Sequence, residues 1–514
     1  MLKPVRSLVH PVNAHQPASI LAALLAASDR GPDRALLRFE GATHGYGLVA
    51  DAAARVGAAL AARGVAAGDR VALFLENSPG FVVSYLGAFF AGAVVVPVNT
   101  AYRAVELSHI LGHAGARLCV ADAARAALVG DLVHAGTLPG LPVVAPGDLL
   151  AQDAPPLAPP NLGPDDLAII GYTSGTTGRA KGAMLSHGNF MSNAAALTAE
   201  WGWTATDRLL LTLPLFHMHG LGVGLHGTLV AGAAIDLWRR FDAAAVLTAL
   251  AVGDVSMFFG VPTMYGRLLA AAAAAPEPPR APGMRLFVSG SAPLAQDLFT
   301  GFSRTFGHVI LERYGMTETV MIAGNRLAGE RRPGAVGWPF AGVAVRVVDP
   351  RTRAALPAGE TGEVEVLGLN VCRGYWQDEA ASRAAFSPDG WFRTGDLGHL
   401  DEGGCLTLSG RARELIISGG FNVYPREVED VLAAHPQVAE AAVVGLPDAD
   451  LGEAVTAVVV RRDPALTAAE LVEHCRVRLA AFKKPRAVHF VDALPRNALG
   501  KVQKHVLKAS LGAG

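Results

Sequence analysis

The sequence predicts an α/β protein: a large amino-terminal domain of several sheets, residues 1–410, followed by a small α/β domain, residues 411–514. Three observations predict this. The chain has 514 residues, more than one hydrophobic core ordinarily supports. Up to about Gly342, alanine-rich helical stretches alternate with short Val/Ile/Leu runs, the pattern of sheets covered by helices. Beyond Gly342 the sequence turns strand-rich and glycine-punctuated, and the segment after Arg411 reads as a separate unit.

The elements follow in order. Val71–Leu75, Val94–Val98, Leu118–Ala121, Leu209–Leu213, Ala234–Leu237 and Leu286–Ser289 are apolar runs of strand length set between helical stretches. The longest apolar run, Leu86–Val98, is too short to span a bilayer and contains Pro97; it reads as a buried helix end entering a strand. Pro/Ala-rich Ala154–Pro160 and Ala275–Pro282 read as surface loops. Val343–Val348, Gly362–Val366 and Cys405–Leu408 are the later strands. The small domain is expected to contain a helix over Pro425–His435, strands over Glu440–Val444 and Ala454–Val460, and a helix over Thr467–Leu479.

Composition excludes several classes. The chain is 51% hydrophobic and 17% charged, which is globular rather than disordered. Basic and acidic side chains number 44 and 45, so no overall field recruits nucleic acid or an anionic membrane. Cys119, Cys372, Cys405 and Cys475 form no CxxC pair, which suits a reducing compartment and offers no metal site. Residues 1–28 lack Asp and Glu, as transit peptides do, and read as an ordinary polar amino-terminal arm. The expectation is a cytoplasmic protein without a membrane span, monomeric or homodimeric.

The chemistry is concentrated first in Tyr172-Thr-Ser-Gly-Thr-Thr-Gly-Arg-Ala-Lys-Gly182, which follows the apolar run Leu167–Ile170. Glycines let backbone N–H groups turn toward an anion, hydroxyls add donors, and Lys181 adds charge. The ligand of such a loop is a polyphosphate. It is not a Walker A loop, because the spacing of lysine to glycine and Ser/Thr is wrong. Further short motifs follow: Ser289-Gly-Ser-Ala-Pro-Leu294, Glu312-Arg-Tyr-Gly-Met-Thr-Glu318, Gly390-Trp-Phe-Arg-Thr-Gly-Asp396, Gly410-Arg411 through Gly419-Gly420, and Pro495–Lys501.

In this order the motifs resemble the adenylate-forming superfamily of acyl-CoA synthetases, carrier-protein adenylation domains and beetle luciferases, from roughly residue 30 to 508. The resemblance implies two half-reactions. A small carboxylic acid attacks the α-phosphate of ATP held with Mg2+, releasing pyrophosphate, and the thiol of coenzyme A then displaces AMP. Such chemistry asks the protein mainly for positioning and charge stabilisation. The resemblance assigns Thr173, Ser174, Gly175, Thr176, Thr177 and Lys181 to the β- and γ-phosphates, Glu318 to Mg2+, and Thr317 to the α-phosphate. It assigns Tyr314 and Gly315 to adenine, Asp396 and Arg411 to the ribose, and Lys501 to the α-phosphate and reacting carboxylate. Arg413 corresponds to the hinge about which the small, mobile domain rotates, and Gly419, Gly420 and Phe421 to the pantetheine tunnel.

The acid is read from two segments. Leu213-Pro-Leu-Phe-His217-Met-His219-Gly220 brings two histidines to a strand end, and in the superfamily the first lines the acyl pocket. Gly260-Val-Pro262-Thr-Met-Tyr265-Gly-Arg267 resembles malonyl-CoA synthetases, which grip the distal carboxylate of malonate or methylmalonate with the arginine. Gly290, Ser291 and Met316 complete the expected acid site. Pro262 is expected to end a strand and Thr263 to cap the following helix, leaving Arg267 near its amino terminus in want of an anion. Burying that charge unpaired against an alkyl chain would cost several kcal/mol, which predicts rejection of long fatty acids. Val320-Met-Ile-Ala-Gly-Asn325 replaces a more polar stretch of those synthetases, predicting an apolar wall that admits methylmalonate or a larger acid.

Other readings remain open on sequence grounds: a medium-chain or aromatic acyl-CoA synthetase with Arg267 in solvent, a carrier-protein thiol as acceptor, or a nucleotide-binding protein without catalysis. Glu318 and Lys501 together argue against the last.

Overall fold

A computed structural model describes residues 16–511 except 153–154, 174–178, 419–420, 449 and 498–499. The chain packs as two compact units: residues up to Val345 with Val366–Phe392, and Arg346–Glu365 with the residues from Arg393 onward. The division expected at 410/411 falls inside the second unit.

The first unit holds two sheets. One runs Val143–Val144, Ala116–Ala121, Arg70–Phe74, Val94–Pro97, Leu167–Thr173, Lys181–Ser186, parallel until the last two strands form an antiparallel hairpin. The other contains, side by side, Leu311–Tyr314, Leu286–Ser289, Met257–Gly260, Arg208–Leu211, Ala234–Leu237 and Ala35–Phe39, all parallel. Apolar residues of both sheets, among them Val71, Val95, Leu209 and Phe259, join one core with the helices Tyr46–Ala62, Pro79–Phe90 and His187–Glu200. Parallel strands buried on both faces explain why these runs read as continuously apolar.

The second unit contains the antiparallel hairpin Phe392–Leu400/Leu406–Arg411. It also contains a sheet in which Gly452–Arg461 pairs antiparallel with Val438–Asp448 and parallel with Ala487–Phe490. Helices Pro425–Ala433 and Ala468–Arg476 cover one face through Val428, Leu432, Leu471 and Cys475, and Lys504–Leu511 packs Leu507 into a second cluster.

Two expectations need correction. Residues 16–28 are not a polar arm. Ser19 caps the helix Ile20–Arg30, accepting from the Ala22 N–H at 3.1 Å, and Ile20, Leu21, Ala23, Leu24 and Ala27 are buried. Pro262 does not end a strand: it opens the helix Pro262–Ala274, and Thr263 lies inside it rather than capping it. Proline suits the first helical position because its missing N–H would be unpaired there anyway.

Among the described residues no helix is long and apolar enough to cross a membrane, and the four cysteines are free and buried. His187, His217, His219 and His226 are held neutral by burial. His187 and His217 are lowered to about 4 and His226, hydrogen-bonded to the Tyr85 hydroxyl at 2.7 Å, to about 3. The unfolded chain, with imidazoles near 6.5, binds protons that the native state refuses. Their contribution is therefore present above about pH 6.5 and lost as pH falls toward 4. Denaturant midpoints at pH 7 and 4.5 are expected to converge in a His187→Gln/His226→Gln variant. An unchanged pH dependence in that variant would refute the assignment.

Candidate active site

The hairpin Leu167–Thr173/Lys181–Ser186 pairs Thr173 with Lys181 and so closes the base of the polyphosphate loop; Ser174, Gly175, Thr176 and Thr177 lie outside the described residues. Lys181 places its ammonium 5.3 Å from the centre of the Tyr375 ring. The Tyr375 hydroxyl donates to Glu318 Oε1 at 3.1 Å. One tyrosine thus bridges the phosphate-loop lysine and the acidic residue expected to hold the metal. Sequence reading missed it, because Tyr375 stands 57 residues beyond Glu318 in an unremarked turn.

Tyr314 ends its strand and is buried, and the chain then doubles back: the Ile322 N–H donates to the Tyr314 carbonyl at 2.9 Å. A Cβ on Gly315 would lie 2.0 Å from the Val320 carbonyl oxygen, so only glycine fits this reversal. Asn370 pins it from outside, donating to the Thr319 and Met321 carbonyls at 2.8 Å each. The turn sets Thr317 against Gly171, on the strand entering the phosphate loop, and leaves Glu318 5% exposed. Met316 is partly buried against the main core. Val320, Met321 and Ile322 are buried, the first two within the main core.

Glu318 is a hard oxygen donor, and among the described residues no three His, Cys, Asp or Glu side chains converge as a metal cluster. That donor set fits Mg2+, which takes one or two carboxylates and completes its shell with phosphates and water.

His217 and His219 follow a strand end. The His219 N–H donates to His217 Nδ1 at 3.3 Å, so the neutral His217 ring carries its proton on Nε2. His219 is fully buried, stacks on Phe259 and lies 3.5 Å from the Ser291 hydroxyl; burial holds its pKa well below the ordinary range. Ser291 adopts φ 68°, a left-handed conformation costly for a non-glycine residue and met most often at functional sites.

Between these groups lies Arg313, 3% exposed. Its Nη2 donates to the Ser291 hydroxyl at 3.4 Å, and its buried Nε has no partner. Burial lowers its pKa to about 9, and its charge in turn helps keep His217 and His219 neutral. A Cβ on Gly290 would lie 2.4 Å from Arg313 Nε, so the glycine makes room for the guanidinium. No ion pair answers this charge among the described residues.

Arg267, expected in the acid pocket, is exposed instead. Tyr265, Leu268 and Ala272 define the buried face of its helix, and Arg267 falls outside that stripe without a hydrogen bond or ion pair to a described residue. With Pro262 at the first helical position, Arg267 also lies beyond the first turn, where the helix dipole acts. The buried, unpaired arginine of this region is thus Arg313 rather than Arg267. Arg285 is spent on structure, gripping Asp207 through Nε and Nη2 at 2.7 Å each.

In the second unit, strand register pairs Asp396 with Arg411, and Arg411 Nε meets Asp396 Oδ1 at 2.7 Å. The Asp396 N–H donates to the Thr394 hydroxyl at 3.0 Å. The Lys501 N–H donates to the Asn497 side-chain oxygen at 3.0 Å. Burial lowers the Lys501 pKa, Arg411 lowers it further, and Asp396 opposes them. The ammonium is thus in electrostatic reach of the Asp396–Arg411 pair. Arg413 is exposed in the 3-10 turn Ala412–Glu414. Phe421 is 55% exposed and stacks on Phe482 at 4.6 Å; Gly419 and Gly420 lie outside the described residues.

The chain matches the AMP-binding enzyme family over residues 24–376 and the AMP-binding enzyme C-terminal domain over 427–501, and it belongs to that family. It is an AMP-forming acid–CoA ligase, whose substrates are an acid, ATP and CoA. Its fold is shared with ATP-bound MatB from Rhodopseudomonas palustris at TM-score 0.90 and 41% identity, covering 96% of this chain and 99% of that one. It is 37% identical to a feruloyl-CoA synthase of an Amycolatopsis species, over 94% of this chain and 96% of the relative. It is also 33% identical to a malonate–CoA ligase of Arabidopsis thaliana, over 86% of this chain and 78% of the relative.

Proposed function

We propose that the acid is a small dicarboxylate, malonate or methylmalonate, converted to its CoA thioester with release of AMP and pyrophosphate. The observation that carries this reading is Arg313: a buried, protonated guanidinium beside Ser291 and two neutral histidines, with no ion-pair partner among the described residues. An uncompensated buried charge costs several kcal/mol, and a substrate's second carboxylate would relieve it. A charge-assisted hydrogen bond adds about 1.5–3 kcal/mol, enough to select a diacid over a monoacid. The malonate–CoA ligase among the relatives supports the same choice.

In this reading His217, Gly290, Ser291 and Met316 shape the acid site, with the Nε2–H of His217 as a neutral donor. Thr173, residues 174–177 and Lys181 hold the β- and γ-phosphates, Thr317 the α-phosphate, and Tyr314 and Gly315 adenine. Glu318, steadied by Tyr375, holds Mg2+, which when bound neutralises phosphate charge. Asp396 accepts the ribose hydroxyls with Arg411 in support. Lys501 stabilises the negative charge that grows as a carboxylate oxygen bonds to the α-phosphorus and pyrophosphate leaves. The CoA sulfur then attacks the acyl carbon beside residues 419–421, expelling AMP. Residues 411–514 act as a lid that turns about Arg413 between the two steps.

The test is pyrophosphate release with CoA across malonate, methylmalonate, acetate, octanoate and coumarate. Malonate or methylmalonate is expected to exceed the monoacids in kcat/KM by at least about tenfold, the lower end of what one charged hydrogen bond supplies. Preference for coumarate or octanoate would instead establish an aromatic or medium-chain synthetase.

A further inference from the structure

Both flanks of the polyphosphate loop are held by one helix that the catalytic motifs do not include. His109 and His113 lie one turn apart on Ala104–Ala114, so their rings project from one face, 5.3 Å between centroids. His109 Nε2 lies 2.8 Å from the Ala180 carbonyl, the residue before Lys181. A carbonyl only accepts, so His109 carries its proton on Nε2 and donates. His113 Nδ1 shares a 2.8 Å hydrogen bond with the hydroxyl of Tyr172, the residue before Thr173. Tyr172 also stands edge-on to both rings, at 6.3 and 5.9 Å. Tyr172 and Ala180 thus lie where the chain enters and leaves the loop, and the same two helix residues fasten both.

We propose that His109 and His113 are positioning residues for ATP, fixing the two stems of the phosphate loop by tying Tyr172 and Ala180 to one helix. Histidines four apart on a helix are also a zinc spacing, but here His109 Nε2 and His113 Nδ1 are both engaged by the hairpin. Neither group touches a reacting atom in this scheme. Their effect is on the placement of Thr173 and Lys181 next to the tied residues, so it should appear in ATP affinity. The inference rests on the loop being the triphosphate site.

The experiment uses the full-length enzyme with His109→Ala, His109→Gln, His113→Phe and the His109→Ala/His113→Phe double variant. Steady-state constants are measured for ATP, acid and CoA, together with the thermal midpoint. Each single loss is expected to raise KM for ATP about fivefold, the ordinary worth of one net hydrogen bond. KM for the acid and CoA and the thermal midpoint should stay near wild type. His109→Gln, which keeps an amide N–H donor, should recover most of the loss. Unchanged KM for ATP in the double variant overturns the proposal. So does a uniform rise in all three KM values with a fall in melting temperature, which would mark the pair as merely structural. If Lys181→Ala also leaves KM for ATP unchanged, the fault lies in the loop assignment rather than in the clamp.

Discussion

Lys501→Ala is expected to lower acid-dependent pyrophosphate release by about 10²–10³-fold, the usual loss when one preorganised donor to a developing charge is removed. The Lys501 side chain is partly buried, its N–H is tied to the Asn497 side chain, and its ammonium lies in the field of Asp396 and Arg411. Under the proposed function, a positive charge in the field of the pair assigned to the ribose would act on the step in which charge builds at the α-phosphate, and would have no comparable task once the adenylate exists. CoA-dependent thiolysis of synthetic acyl-adenylate should therefore proceed within a few-fold of wild type. Equal loss in both half-reactions would show that the residue supports the lid's fold or motion rather than adenylation.

The second large effect is on substrate choice. Arg313→Met, which keeps an unbranched side chain in a packed site, is expected to cut kcat/KM for malonate by about 10–100-fold, the equivalent of one charge-assisted hydrogen bond. Turnover of acetate or another monoacid should hold or rise, because a buried charge has been removed. Arg267→Ala, by contrast, should leave malonate turnover within about twofold, as exposed unpaired side chains seldom contribute more. Circular dichroism and thermal midpoints separate these outcomes from misfolding. Loss of malonate activity in Arg267→Ala with full activity in Arg313→Met would return the selector role to the helix.

Much of this was legible in the residues. Ala234–Leu237, Leu286–Ser289 and Val343–Val348 were expected as strands, and those are their observed bounds. Each is an apolar or β-branched run, bounded by glycine, proline or a change of pattern. The pairing of Asp396 with Arg411 joins two motif residues assigned to one ribose from resemblance alone, and strand register explains how they meet. Arg313 was illegible for a physical reason. Its place in Glu312-Arg-Tyr-Gly-Met says nothing of depth, and only the close approach of Gly290 from another strand shows that the guanidinium is buried. Arg267 was placed by resemblance, while its exposure follows from the packing of Tyr265, Leu268 and Ala272 on the buried face of the helix, which its local motif does not reveal. His109 and His113 lie 71 and 59 residues from the loop residues they fasten, and no local pattern could link them to it.

The missing side chain at residue 290 constrains how this protein can change. Where alanine's methyl would go there is already a nitrogen of Arg313. Enlarging residue 290 first would collide with that nitrogen, whereas shortening Arg313 first opens the space. If Arg313 selects the acid as proposed, the route of least resistance toward a bulkier neutral acid shortens Arg313 before it enlarges residue 290.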